Sequence, residues 1–195
     1  MPRITAPTVI EHREQRLLAL LDAARAIVSE TRSAPTLAAT AQRAGLARSS
    51  IYRYFSSSEE LLAAVVADTF PMWADKVRIR VQAATTPGEK VWAYIGANLD
   101  LFSSSEQDLA SALREVVDPH LLKEPTETFH AELQEPLVEA LTEYGEPRPK
   151  LMAETIEGTL LHVARGLGSP PEAPLDEEEA LAVLRRIFGG YLGLD

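Results

Sequence analysis

The stretch that decides the fold is TLAATAQRAGLARSSIYRYFSSSEELL, residues 36–62. It predicts two short helices, over about residues 36–43 and 48–55, joined by a turn at residues 44–46. A glycine at position 45 can adopt the positive φ that lets two short helices cross steeply. This is the pattern of a helix-turn-helix, in which the second helix lies in the major groove of DNA.

The side chains of the second helix are suited to contacts with DNA. Arg48 can donate two parallel hydrogen bonds to the edge of a guanine, whereas Ser49 and Ser50 can reach bases or phosphates. Tyr52 and Tyr54 can donate hydroxyl hydrogen bonds to phosphate oxygens. The alternative is an ordinary helical hairpin whose tyrosines cover the core.

A first helix precedes this motif and gives it a surface to pack on. It runs from about Glu11 to Ser33, with apolar residues at three- and four-residue spacing. It ends before Ala34-Pro35, because the residue before a proline is pushed out of helical geometry. Ile51 and Phe55 fall on the face that must pack against this helix, so we expect both in the core.

The distribution of charge is compatible with a DNA-binding end. The net charge of −10 argues at first against nucleic acid, because phosphate binding needs a positive surface. Residues 1–57, however, carry eight arginines and four acidic residues, a net charge of +4, whereas the remainder carries −14. A basic module on an acidic body would direct phosphates to one end of the chain. A solvated acidic surface with a chance basic end remains the alternative.

The composition is that of a globular protein, with 46% hydrophobic and 25% charged residues. No stretch approaches the roughly 18 apolar residues needed to cross a bilayer, and the start MPRITAPTVIEHRE lacks a hydrophobic signal core. We therefore expect a cytoplasmic protein with no membrane partner. The absence of cysteine excludes disulfides, thiolate metal sites and cysteine nucleophiles.

The rest of the chain is predicted to be helical, because helix-start signals recur and period-2 strand patterns do not. We expect helices near residues 58–83, 87–103, 105–117, 119–123, 125–144, 148–168 and 176–192. Pro71 can kink or split the first of these, and residues 166–174 are predicted to form a loop. The predicted fold class is all-α, with a three-helix domain over residues 1–57 and a second helical domain over residues 58–195.

The helix-turn-helix segment resembles the DNA-binding domain of the TetR (tetracycline-repressor-like) family. The residues that match the family pattern are Thr36, Leu37, Ala41, Ala44-Gly45, Ile51-Tyr52, Tyr54-Phe55 and Ser57 through Leu61. The close match covers about the first 65 residues. The later helices are similar to the family in number, length and order.

The resemblance implies a homodimer that binds a double-stranded DNA operator and senses a small-molecule effector in its C-terminal domain. In the family that domain encloses a ligand cavity, and its last two long helices pair with the partner subunit. The expected DNA contacts are Thr36, Ala47, Arg48, Ser49, Ser50, Tyr52, Tyr54 and Ser58. Two positions depart from the pattern: Ser58 replaces a usual lysine that meets a phosphate, and Thr40 replaces a common apolar residue. We expect weaker non-specific binding from the first departure and a hydroxyl bonded to the preceding turn from the second.

Aromatic and polar residues on apolar helix faces of the C-terminal domain are the candidates for an effector site. Ligand pockets are mostly apolar with a few convergent polar groups. His162 and Asn98 are the preferred candidates, and the alternative for each member is an ordinary core residue. The full set is Trp73, Trp92, Asn98, Phe102, His120, Phe129, His130, His162 and Arg165.

The sequence contains few features of an enzyme. Glu127 and His130 have the spacing of a carboxylate-bridged metal site, but such bundles need two copies and further glutamates, so we attribute the spacing to chance. The sequence has no glycine-rich phosphate loop, nucleophile elbow or paired-histidine zinc motif. We therefore expect no catalysis, no metal and no cofactor.

The function predicted from these features is that of a ligand-responsive transcriptional regulator, by family habit a repressor released from a palindromic operator by a small molecule. The alternative is a helical small-molecule-binding protein that keeps a degenerate helix-turn-helix.

Overall fold

The computed structural model describes residues 9–103, 105–167 and 175–194, and within these ranges the chain is helical without strands. The helices are α1 (Val9–Thr31), α2 (Leu37–Arg43), α3 (Arg48–Ile51), α4 (Ser58–Ala83), α5 (Pro87–Ser103), α6 (Ser105–Val116), α7 (Pro119–Tyr144), α8 (Pro149–Ala164) and α9 (Glu177–Leu192). No described helix combines the length and the low charge needed to cross a bilayer.

The predicted break between two helices, over residues 119–123 and 125–144, is wrong. A single helix, α7, runs through both Pro125 and Pro136. A proline inside a helix costs roughly 3 kcal/mol. Burial of Leu133, Leu137 and Leu141 offsets that cost, since these side chains hold α7 against the core as one continuous element.

Two further helix ends differ from the prediction. Helix α3 ends at Ile51, and hydrogen-bonded turns rather than helix carry the chain on to Phe55. Helix α8 ends at Ala164, before the predicted residue 168. Pro71 lies inside α4 and does not split it. Most of the predicted loop at 166–174 lies outside the described residues.

The chain divides into two compact units. The first consists of Met1–Thr69 with Leu109–Lys123, and the second of Phe70–Asp108 with Glu124–Asp195. Helices α4, α6 and α7 therefore each contribute residues to both units. The functional domains predicted at 1–57 and 58–195 are a different division and stay a prediction.

The first unit is built around α1. Its apolar face buries Leu20, Ala24 and Val28 completely, and α1 packs on α2, which in turn packs on α3. Ile51 and Phe55 are 0% and 4% exposed, which confirms the prediction that they belong to the core. The core thus fixes the side of α3 that faces inward and leaves the opposite side to solvent.

The second unit has its own continuous core, formed by apolar residues of α4, α5, α7, α8 and α9. Helix α5 packs against both α8 and α9. The start of α5 comes very close to the end of α9, because a side-chain carbon built on Gly88 would lie 2.5 Å from the carbonyl oxygen of Leu192. Glycine at position 88 therefore permits this packing.

Candidate functional site

The turn between α2 and α3 is held by backbone geometry that requires glycine. Gly45 has φ +69°, and its amide donates to Gln42 O at 3.1 Å while the Leu46 amide donates to Ala41 O at 2.9 Å. These two bonds form a Schellman motif, in which the left-handed residue is normally glycine. A side-chain carbon on Gly45 would meet nothing within 4 Å, so the constraint is conformational and not one of space.

Two threonines fix the start of α2. Thr36 caps the helix, because its Oγ1 accepts a 3.1 Å hydrogen bond from the Ala39 amide. Thr40 is fully buried, and its hydroxyl donates to Thr36 O at 3.0 Å. The polar residue at position 40 is therefore satisfied within the helix, as the sequence predicted, and the family's more usual apolar residue is not needed.

The candidate DNA contacts in and around α3 differ in their exposure. Arg48 and Ser49 are exposed and Tyr52 keeps 53% of its surface accessible, whereas Ser50 and Tyr54 are half-buried. Ala47 is exposed at the position preceding the helix. The structure thus leaves Ala47, Arg48, Ser49 and Tyr52 accessible around the buried Ile51, as a helix that reads a DNA groove requires.

The start of α4 is occupied by its own capping interactions. Ser57 Oγ accepts a 3.1 Å bond from the Glu60 amide, and Ser56 donates to the Glu60 carboxylate through its amide at 2.7 Å and its hydroxyl at 2.6 Å. The Ser56 hydroxyl and amide lower the pKa of Glu60. Ser58 is half-buried beside the charged carboxylates of Glu59 and Glu60, which oppose the approach of a phosphate to this helix start.

A basic cleft of about 380 Å³ lies beside α3 in the first unit. It is lined by His12, Arg13 and Arg16 from α1 and by Arg53 and Tyr54, which follow α3. No carboxylate of the described residues contributes to the lining. From the sequence these arginines are visible only in the net charge, because their convergence depends on how α1 packs against the motif. The spacing of residues 12, 13 and 16 on one helix was the signal available.

Ion pairs neutralise several other arginines of the first unit. Arg25 pairs with Asp22 and Asp68, Arg43 with Glu30, and Arg32 with Glu115. Among the described residues of this unit, Arg13, Arg16, Arg48, Arg53 and Arg114 have no carboxylate within the 4.0 Å ion-pair distance. Four of these five arginines lie in α1, in α3 or directly after α3.

Among the effector candidates, the structure brings Trp73 and Phe129 together. Their ring centroids lie 6.1 Å apart, and Phe70 stacks 5.6 Å from Trp73 and 5.1 Å from Phe129. His130 follows at 5.9 Å from the Phe129 ring but is itself exposed. These aromatic rings form a cluster within the second unit.

Helix α5 supplies three more of the candidates. Asn98 is only 5% exposed, and its Nδ2 donates to Tyr94 O at 3.0 Å. Trp92 and Phe102 are half-buried against the core, and the Arg185 guanidinium lies 5.7 Å from the Trp92 ring centroid. Asn98 is therefore the one polar candidate that lies inside the apolar core of its unit.

Four candidates lie at the surface. His120 falls in the first unit and is exposed, and His130, His162 and Arg165 are exposed in the second. For His162 and Arg165 the reason is that α8 turns this face outward, as the 53% exposure of Leu151 on the same helix indicates. Their assignment to an effector site stays a prediction.

The second unit also contains a polar cluster that the sequence did not predict. The Tyr94 hydroxyl donates to Glu157 Oε1 at 3.0 Å, and Gln134 Nε2 donates to Glu157 Oε2 at 3.0 Å. Burial, together with the charge of Glu157, raises the pKa of Tyr94 far above its usual range. The three residues come from α5, α7 and α8, so no sequence spacing could have signalled them.

Metal chemistry receives no geometric support from the described part of the chain. There, no group of three histidine or acidic side chains is arranged to hold a metal ion. Glu127 and His130, which have the spacing of a metal motif, are both exposed.

Comparison with known proteins places the site in a family context. Residues 20–65 match the family model of bacterial regulatory proteins, tetR family. No curated protein sequence matches the chain.

The whole chain is similar in fold to solved regulators. One is a TetR/AcrR-family regulator from Thermobifida fusca YX-ER1, with 20% identity, coverage of 89% of this chain and 96% of that one, and a TM-score of 0.62. Another is FadR from Bacillus subtilis in complex with stearoyl-CoA, with 15% identity, coverage of 91% and 98%, and a TM-score of 0.63. A third is AibR in complex with isovaleryl coenzyme A and operator DNA, with 20% identity, coverage of 88% and 97%, and a TM-score of 0.57.

Proposed function

Because its residues 20–65 belong to the tetR family of bacterial regulatory proteins, we propose that this chain is a ligand-responsive transcriptional regulator that binds duplex DNA as a homodimer. The observation that carries the proposal is the contrast in exposure within α3 and at the residue that follows it. Ile51 is fully buried, whereas Arg48, Ser49 and Tyr52 are exposed. A recognition helix needs this division, since it must be fixed by the core and still present polar side chains to base edges.

We expect the operator to be a pseudo-palindrome. A single helix-turn-helix contacts too few bases to select one site, and two-fold pairing doubles those contacts. Half-sites about one helical turn apart, roughly 34–36 Å, or at a spacing that reaches successive major grooves, would match the two recognition helices.

The outer surface of α8 and α9 supports a dimer. Leu151, Leu161 and Ile187 are large apolar residues that remain 53%, 41% and 51% exposed in one protomer. Gly158 and Gly190 on the same helices face open space, so a partner helix can approach their backbones closely. Covering this surface with a second copy removes apolar area from water, which stabilises association.

The effector site is proposed to include Asn98 and the aromatic cluster of Phe70, Trp73 and Phe129. A buried amide beside an apolar core can orient a ligand whose remainder packs on aromatic rings. The FadR and AibR structures carry acyl-coenzyme A ligands, and the AibR structure also carries operator DNA. Their fold can therefore combine a ligand and DNA in one chain, and we propose the same division of labour here.

Regulation follows if the effector and the operator prefer different conformations. A ligand that favours the wrong spacing of the two α3 helices lowers DNA affinity, and by linkage DNA lowers ligand affinity by the same factor. The expected coupling is roughly 1–3 kcal/mol, or about 5–150-fold. The protein would act as a cytoplasmic repressor without enzymatic activity.

Selection of preferred duplexes from a random pool tests this function. We expect the wild-type protein to enrich a palindrome, Arg48→Ala to relax one base position in each half-site, and Tyr52→Ala to weaken all sequences alike. No enrichment even at low salt would contradict the regulator and leave a helical ligand-binding protein with a degenerate motif.

A further inference from the structure

We propose that the basic cleft formed by His12, Arg13, Arg16, Arg53 and Tyr54 binds a phosphodiester of the DNA backbone and replaces the ionic contact that the family draws from the position of Ser58. The inference rests on the proposed DNA-binding function and assigns it a phosphate site outside the recognition helix. Its ligand is one backbone phosphate of the duplex read by α3.

Ion pairs with carboxylates neutralise some arginines of the first unit and leave others unpaired. Every described carboxylate that pairs with an arginine of the first unit does so at Arg25, Arg32 or Arg43. Arg13, Arg16 and Arg53 converge on one cleft, and the part of its lining that the structure describes contains no carboxylate. Like charges held together repel each other, so the arrangement becomes favourable when an anion enters.

The core of the first unit holds the residues of the cleft in position. Arg13 and Arg16 are three residues apart and therefore neighbours on the surface of α1. Arg53 and Tyr54 lie between Ile51 and Phe55, whose buried side chains hold the backbone in place. The positions of these arginines are therefore set by the same core that orients α3, and phosphate binding here would fix the register of α3 in the groove.

The side chains of the cleft are chemically suited to bind a phosphate. A guanidinium presents parallel N–H donors that match two phosphate oxygens, and a tyrosine hydroxyl can donate one more hydrogen bond. The cleft, with a volume of about 380 Å³, holds three guanidinium groups and Tyr54. Its three arginines are exposed, so an anion can reach them from solvent.

The start of α4 carries negative and no positive side chains. Ser58 offers one hydroxyl and no charge, and Glu59 and Glu60 place two carboxylates in the same turn. Glu60 already accepts both donors of Ser56. Because this helix start is poorly suited to hold a phosphate by charge, the basic cleft is the better source of the ionic contact.

The test is the salt dependence of binding to the selected duplex by the full-length protein and its Arg16→Gln and Arg53→Gln variants. Each phosphate contact contributes about 0.9 to the slope of log K against log salt. Each single variant is therefore expected to lower the slope, and the variant that carries both substitutions is expected to lower it by about that amount per protomer. The preferred sequence should stay unchanged, because phosphate contacts carry no base information. Arg78→Gln is the matched control, because Arg78 is an exposed arginine that pairs with Asp75 in the second unit.

The outcomes separate this inference from the function on which it rests. If the wild-type protein binds no duplex, the proposed function is wrong and the inference falls with it. If the wild-type protein binds and both variants keep its slope while remaining folded by circular dichroism, only the inference is overturned. Isothermal titration with inorganic phosphate in the absence of DNA distinguishes a free anion. Tight phosphate binding that both variants abolish, together with an unchanged DNA slope, would assign the cleft to that anion and contradict the proposal.

Discussion

Arg25 Nη1 donates a 2.6 Å hydrogen bond to Asp68 Oδ2 and thereby joins α1 to α4 within the first unit. The Arg25 side chain is only 14% exposed, and its second nitrogen donates to Asp22 Oδ1 at 2.5 Å. Thr69, which is fully buried, lies 3.3 Å from Arg25 Nη1. A largely buried guanidinium depends on these partners, because leaving a buried charge unpaired is costly.

Asp68→Ala is expected to lower the free energy of unfolding by about 1–3 kcal/mol, because it removes the less exposed of the two carboxylates that satisfy Arg25. The matched control is Asp22→Ala. Asp22 is 69% exposed and pairs with Arg25 across one turn of α1, so its loss should cost less than about 0.5 kcal/mol. Urea unfolding followed by circular dichroism measures both. Equal losses for the two variants would contradict the special role of Asp68.

Gly88→Ala is expected to destabilise the protein by about 1–3 kcal/mol, because its new carbon would overlap the carbonyl oxygen of Leu192 at 2.5 Å. Backbone atoms cannot move aside as a flexible side chain can. Gly96→Ala on the same helix is the control, since its new carbon would meet only the end of the Arg80 side chain at 3.5 Å. That variant should gain up to about 1 kcal/mol from helix propensity. Thermal unfolding of both variants should therefore give shifts of opposite sign.

The parts of the fold that the sequence predicted well are those determined by local chemistry. The spacing of Thr86 and Glu89 predicts the start of α5, and in the structure each residue bonds the backbone of the other. The same spacing of Asp176 and Glu179 indicates the start of α9, where the two residues form a capping box. Gly45 has the positive φ that the turn requires. Each of these features involves residues within a few positions of each other, so a single sequence carries the signal.

The features that the sequence did not predict depend on contacts between distant segments. The basic cleft combines Arg16 of α1 with Arg53, which are 37 positions apart, and only tertiary packing brings them together. The bond from Tyr94 to Glu157 joins helices 63 positions apart. Pro125 signals a helix end locally, but burial along α7 outweighs that signal. Long-range packing, and not an error in local propensity, accounts for each of these differences.

Glu89→Gln is expected to change the pH dependence of stability. The Thr86 backbone amide, its hydroxyl group and the Thr85 amide lower the pKa of Glu89 below the ordinary value of 4.5. A lowered folded-state pKa means that the carboxylate contributes stability above the unfolded value, and that this contribution is lost as the pH falls through the folded value. Wild-type protein should therefore be more stable than the variant at pH 7, and the difference should shrink below pH 4.5.

Urea unfolding at a series of pH values measures this effect. Glu132→Gln is the control, because Glu132 is exposed on α7 and forms no hydrogen bond to another residue of the described chain. It should unfold like the wild type at every pH. A stability difference for Glu89→Gln that persists unchanged into acid would mean that the charge of Glu89 does not contribute to capping α5.

Ile187→Glu is expected to convert the proposed homodimer into monomers. Ile187 is 51% exposed on α9, and covering it with a second copy would bury an apolar side chain, whereas a buried unpaired carboxylate is strongly unfavourable. Sedimentation velocity should show one species of about twice the 21.3 kDa chain mass for wild type and one near the chain mass for the variant.

The same substitution at Ile79 provides a matched control. Ile79 lies on α4 and is 63% exposed, so Ile79→Glu places the same charge at an even more accessible isoleucine outside the α8 and α9 surface. It should leave the dimer intact. Because a palindromic operator rewards paired recognition helices, the monomeric variant should also lose most of its preference for the full site over a half-site. Dimers for both variants would exclude the α8 and α9 surface, whereas monomers for both would show that added negative charge alone prevents association.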